Sequence, residues 1–163
     1  MFSRRLSLAA ILVSLASPLS GQAAHPDLTG TWVLDASKTV VDGPMMAPPA
    51  ATYVVVQVGD SIAVEQKFSS GAGEQVVKKV WRVDGKAWAN PFNYQGVDMV
   101  LSSTLRWDGA VLAIHTTTDF QGTPVEHTET WTLSSDGKTL TQSTTTYANG
   151  DYYAEVTLVF GKQ

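Results

Sequence analysis

Five dipeptides punctuate the sequence: Gly59-Asp60, Asp84-Gly85, Asp108-Gly109, Asp136-Gly137 and Asn149-Gly150. Each joins glycine to aspartate or asparagine, the residues that reach the positive φ demanded by a two-residue hairpin turn. The runs between them are rich in Val, Thr, Tyr and Trp, and none carries a convincing helical period. Strands are therefore expected over 28–35, 51–58, 61–68, 74–83, 86–90, 97–107, 110–120, 125–134, 138–147 and 151–161. Closing such a sheet on itself removes its exposed edges. The expected fold is all-β: a single up-and-down antiparallel β-barrel of 8–10 strands.

Composition narrows the function classes. A chain of 163 residues, 44% apolar and 16% charged, suits one globular domain rather than a disordered one. It has no cysteine, which excludes a disulfide scaffold, a thiol nucleophile and a thiolate metal site. Its acidic balance, 15 Asp+Glu against 11 Lys+Arg, argues against a nucleic-acid partner.

Residues 1–23 read as a signal peptide. Arg4 and Arg5 form a positive n-region, Leu6 to Leu19 an apolar core too short to span a bilayer, and Gly21-Gln22-Ala23 a small-residue cleavage site. The mature barrel domain is then 24–163, exported to the periplasm or medium of a bacterium, with no transmembrane segment. Removing Arg4 and Arg5 with the leader takes the net charge from −4 to −6.

Pairing the second half through its turns places one set of residues on the inner face. Across Asp108-Gly109, Leu105 is expected opposite Leu112, Leu101 opposite Thr116 and Met99 opposite Thr118. Across 121–124, Leu112 meets Leu133, Ile114 meets Trp131, Thr116 meets Glu129 and Thr118 meets His127. Beyond 135–138, Leu133 meets Leu140, Trp131 meets Gln142, Glu129 meets Thr144 and His127 meets Thr146; a loop at 148–150 sets Leu140 opposite Leu158 and Thr146 opposite Tyr152.

The inner face is graded. Leu105, Leu112, Leu133, Leu140 and Leu158 form an apolar floor, with Trp32 from the first strand at the same end. Each buried leucine contributes about 2 kcal/mol, enough to hold the register. Toward the other end the lining turns polar, which a packed core does not need and a pocket with a mouth does. Met99, Leu101, Thr116, Thr118, His127, Glu129, Trp131, Gln142, Thr144, Thr146 and Tyr152 are the expected ligand-binding residues. The connections at this end are expected to be the longer ones. Segment 36–50, with Met45, Met46 and three prolines, reads as an apolar flap, and Phe68, Phe92 and Tyr94 sit near its rim.

The segment Leu28-Thr29-Gly30-Thr31-Trp32 resembles the Gly-x-Trp opening of the lipocalin and calycin superfamily, whose tryptophan closes the barrel floor. Arg106-Trp107-Asp108-Gly109 and the stretch from Trp131 to Leu140 are similar to small secreted lipocalin-like proteins of bacteria. Ten strands are closer to the fatty-acid-binding branch, without its helical lid. Avidins share the opening, but their second Gly-Thr-Tyr motif is missing. The resemblance implies a cavity for a small, partly apolar or amphipathic molecule and no particular catalytic residue.

His127 and Glu129 stand two apart on one strand, both expected inward. A buried carboxylate needs partners or a raised pKa, so the pair can orient a ligand or act as acid and base. Binding is the leading expectation. The alternatives are an isomerase, cyclase or hydratase with His127 and Glu129 as metal-independent catalytic groups, and a cell-envelope interaction module using outer tryptophans Trp81, Trp88 and Trp107. No cofactor or metal is expected: His115 and His127 share no face, and no phosphate loop or nucleophile elbow is present. No Lys or Arg falls on the inner face of 97–161, which favours a neutral or cationic ligand; Gln57, Gln66, Lys79 and Arg82 are left undecided in the first half.

Overall fold

A computed structural model describes residues 25–70, 73–94 and 96–163. The expected leader, residues 1–23, lies outside the described residues, as do parts of the 69–73 and 90–96 segments. The strands are β1 (Gly30–Leu34), β2 (Val40–Asp42), β3 (Ala51–Val58), β4 (Ser61–Ser70), β5 (Gly73–Arg82), β6 (Trp88–Tyr94), β7 (Val97–Asp108), β8 (Val111–Phe120), β9 (Thr123–Leu133), β10 (Thr139–Ala148) and β11 (Asp151–Lys162). A one-turn 3-10 helix, Ala36–Lys38, is the single helical element among the described residues. Ten strands follow the order β5-β4-β3-β1-β11-β10-β9-β8-β7-β6, all neighbours antiparallel, while β2 pairs with β11 outside this path. This is the expected up-and-down barrel, nearly closed.

The seam lies between β5 and β6, which pack together without a backbone ladder. Pro91 explains part of this, since a residue without an N–H suits an edge strand. The side chain of buried Asn90 bridges the seam, its Oδ1 accepting from Val80 N at 2.9 Å.

The register of β9 on β10 is as expected: Leu133 opposite Leu140, Trp131 opposite Gln142, Glu129 opposite Thr144 and His127 opposite Thr146. The neighbouring pairs are displaced by two residues. Leu105 faces Ile114 rather than Leu112, Ile114 faces Glu129, Thr116 faces His127, and Leu140 faces Phe160 rather than Leu158. The cause is which residues occupy each turn. Gly109-Ala110 turns in place of Asp108-Gly109, because Gly109 takes the first central position at φ 59°. Gln121 and Gly122, at φ 53° and 85°, make a two-residue turn where a four-residue loop was expected, and Asn149 and Gly150, at φ 52° and 85°, make one where a three-residue loop, 148–150, was expected. A two-residue slip keeps every side chain on its face, so the inward set largely survives.

The five leucines consequently do not form one level. Stepping across the sheet from β7 to β11, one row reads Leu105, Ile114, Glu129, Thr144, Val156; the next reads Ser103, Thr116, His127, Thr146, Ala154. Leu105, Leu112, Leu140 and Leu158 are nonetheless buried, with Leu133 packed against them. Aromatic rings fill the floor: Tyr53 lies 4.4 Å from Phe160 and 6.0 Å from Trp131, and Trp81 meets Trp131 edge-on at 6.5 Å. Trp32 is fully buried, donates its indole N–H to Leu28 O at 2.9 Å, and carries Lys162 Nζ 5.0 Å above its ring.

Two expectations about the surface are corrected. At the polar end, the β8–β9 and β10–β11 connections are as tight as turns can be, because the strands run further than alternation suggested; the 35–50 connection is long. The outer tryptophan patch does not exist: Trp81 is buried, and Trp88 and Trp107 pack their rings on the core. Trp107 is further covered by His25, stacked at 4.7 Å.

Candidate functional site

Above the aromatic floor the barrel holds a cavity of about 280 Å3. Its polar wall comes from β8, β9 and β10, where alternation turns Thr116, His127, Glu129, Gln142, Thr144 and Thr146 inward. Leu101, Val156 and Leu158 supply apolar surface. The opposite wall is Gln66 and Phe68 from β4 and Val77 and Lys79 from β5; Phe92 of β6 and residues 45–48 close the top.

Glu129 is the polar centre. Its Oε1 accepts from the indole N–H of Trp131 and from Gln142 Nε2, the latter at 2.9 Å. Burial pushes its carboxyl above the usual range, opposed by the charge of Lys79 and by the Trp131 and Gln142 hydrogen bonds. Lys79 shows the mirror effect: burial lowers its ammonium, and the charge of Glu129 opposes the lowering. The two do not form a contact ion pair; Lys79 Nζ stands 5.5 Å from the Trp81 ring centroid. Burial, and then the charge of Lys79, lowers His127, which shares a 3.0 Å hydrogen bond between Nδ1 and Thr146 Oγ1. Burial and the nearby Glu129 raise the Tyr53 phenol beneath. Gln142 Oε1 is buried without a protein partner, an acceptor that a ligand donor could meet.

Seven of the eleven expected binding residues line this cavity: Leu101, Thr116, His127, Glu129, Gln142, Thr144 and Thr146. Four do not. Trp131 is fully buried beneath it and acts through Glu129. Met99 borders a separate surface depression with Phe92 and Asp119. Thr118 lies beyond the cavity and pairs with Val125. Tyr152 is exposed, because an irregularity at Thr146/Tyr147 turns it outward against Tyr147; its hydroxyl donates to Asp42 Oδ2 at 2.9 Å.

The undecided first half is settled by geometry. Gln66 and Lys79 face the cavity, Gln57 accepts from Leu28 N at the floor, and Arg82 is exposed. Lys79 removes the ground for preferring a cationic ligand. Lys79 shares its face of β5 with buried Val77 and Trp81, an alternation that fixes its direction only once the inward face of β5 is known. Among the described residues, no cluster of three metal-ligating side chains occurs.

No family model matches the chain, and no curated protein matches its sequence. Solved structures do share its fold. Zebrafish ileal bile acid-binding protein complexed with cholic acid aligns with a TM-score of 0.51 at 16% identity, over 83% of this chain and 98% of that one. A secretory abundant heat soluble protein of Ramazzottius varieornatus aligns at 0.52 and 9% identity, over 83% and 94%. Secretory abundant heat soluble protein 4 of the same organism aligns at 0.50 and 14% identity over the same shares. The fold is a calycin-like β-barrel. At these identities the likeness speaks for the fold alone.

Proposed function

We propose that the protein is an exported barrel that holds one small, largely apolar, uncharged molecule under the 36–50 flap. The observation that carries this reading is the cavity itself, in which Leu101, Phe68, Val77, Val156 and Leu158 supply apolar surface and a few polar groups converge on Glu129. Lys79 and Glu129 offset one another, so the cavity offers no net charge to an ion and suits a molecule with a neutral polar end. At about 280 Å3 it lies at the lower edge of ordinary ligand pockets, roughly 300–1,000 Å3, so a larger molecule requires the flap to move. The bile-acid complex of the zebrafish neighbour is consistent with lipophilic cargo on this fold. Export rests on the leader-like residues 1–23.

Titration with N-phenyl-1-naphthylamine, a neutral apolar fluorophore, should give saturable one-to-one enhancement. Thr144→Trp, which fills the cavity, should abolish it while leaving the thermal melt cooperative. Enhancement that survives in this variant sinks the reading. Acid–base catalysis is a second reading, favoured by the opposed shifts of Glu129 and His127; turnover of a cavity ligand lost in His127→Ala is its test.

A further inference from the structure

Of the seven lysines in the chain, six are exposed, and three of these pair with carboxylates. Lys79 alone lines the interior cavity. It faces Val64 across the β4–β5 ladder, with Val77 and Trp81 on the same face of β5 and Gln66 on the same wall; its Nζ stands 5.5 Å from the Trp81 ring centroid, and no carboxylate touches it. Glu129 lines the same cavity and is already held by Trp131 and Gln142 through Oε1, which leaves Oε2 with no hydrogen bond to the protein. An amine withdrawn from water is a nucleophile toward carbonyl carbon, and a carboxyl facing the same cavity can move the protons that condensation requires.

We propose that Lys79 captures small apolar aldehydes as an imine inside the barrel, with Glu129 as the proton-transfer group and counter-ion. The step presupposes that the cavity admits ligands, as argued above. The Nζ lone pair forms a bond to the carbonyl carbon, and a proton passes from nitrogen to oxygen to give the carbinolamine. Protonation of the hydroxyl by the Glu129 carboxyl expels water as the carbon–nitrogen double bond forms. The carboxylate left behind balances the protonated imine or takes back its proton. Amine and aldehyde give imine and water, and no oxidant or reductant enters. Burial supports both roles, lowering the Lys79 ammonium and raising the Glu129 carboxyl, so that each is shifted toward its uncharged, reactive form.

The test uses 3-phenylpropanal with sodium cyanoborohydride, which fixes an imine as a secondary amine, followed by peptide mapping of the purified protein. Label at Lys79 should exceed that at Lys38, Lys67, Lys78, Lys86, Lys138 or Lys162 at least about tenfold, and Glu129→Gln should slow it about tenfold. Label spread over the exposed lysines with Lys79 unmodified overturns the proposal, and an unchanged rate in Glu129→Gln removes Glu129 from the step. 3-Phenylpropanol and 3-phenylpropanoate separate the failures. If the alcohol binds and Lys79 stays unlabelled, the imine is wrong and the cavity reading stands. Should the acid bind far tighter than the alcohol without label, Lys79 is a charged partner for anions and both the imine and the neutral-ligand reading fall. Where neither compound nor the aldehyde enters, the cavity reading falls as well.

Discussion

A carboxyl group that folding lifts above its ordinary pKa carries a definite pH signature. Below the usual glutamate value of 4.5, Glu129 is protonated in folded and unfolded chains alike and costs nothing. As pH rises through the raised folded value, the unfolded chain ionises more readily, and stability is lost until both states are charged. Glu129→Gln cannot ionise, so its melting temperature relative to wild type should rise as pH climbs above 4.5 and level off once the folded carboxyl has also ionised. Parallel melts of the two proteins across that range check it; a constant difference contradicts the burial assigned to Glu129. His127 runs the other way: its lowered pKa means that stability is lost as pH falls below 6.5. Both residues were legible because strict alternation survives a two-residue slip. Tyr152 was not, since one irregularity beside the Asn149-Gly150 turn reverses its face and nothing in the local sequence announces it.

Elements, more than single side chains, decide how the cavity is covered. The flap is tied to β11 by β2, by the Tyr152–Asp42 hydrogen bond, and by Gly43, which sits at φ 100°. A Cβ on Gly43 would stand 2.6 Å from Tyr153 O and 2.9 Å from Ala154 Cα. Gly43→Ala should therefore cost about 1–3 kcal/mol in urea denaturation, with faster release of a bound apolar fluorophore; unchanged stability and release would show that the flap is not anchored there. The seam between β5 and β6 depends on Asn90. Asn90→Ala removes the part-buried hydrogen bond to Val80 N–H and should destabilise by about 0.5–1.5 kcal/mol, while opening amide exchange along β5 before the other strands. Strand positions were legible from the turn dipeptides. Registers were not, because a turn begun one residue later at Gly109, and two-residue turns at Gln121-Gly122 and Asn149-Gly150 in place of longer loops, each displace a ladder by two residues. β2 escaped notice in a segment whose prolines read as loop.

At the scale of the whole molecule the barrel divides into an aromatic floor and a hollow upper half. Leu112 is fully buried and meets Trp131 across the β8–β9 ladder. Leu112→Ala should cost about 2–5 kcal/mol without removing any residue that touches the cavity; chemical denaturation measures this directly, and a loss under about 1 kcal/mol would contradict a packed floor. The gradient from floor to mouth was visible in composition along the strands, whereas the basic wall was not. Lys79 belongs to the first half, where no single turn ties the register to the leucine-rich strands and only barrel closure brings β5 opposite β9. The proposed binding requires that a ligand enter this cavity and no other. Titrating 15N-labelled protein with 3-phenylpropanol and following amide and indole resonances tests it. Shifts should cluster on Thr116, His127, Glu129, Gln142 and Thr144, on residues 45–47, and on the Trp131 indole N–H that bonds Glu129. Shifts gathered instead on the outer depression of Asn93, Asp98, Val100 and Asp119, or none at saturating ligand, would show that the cavity is not the binding site.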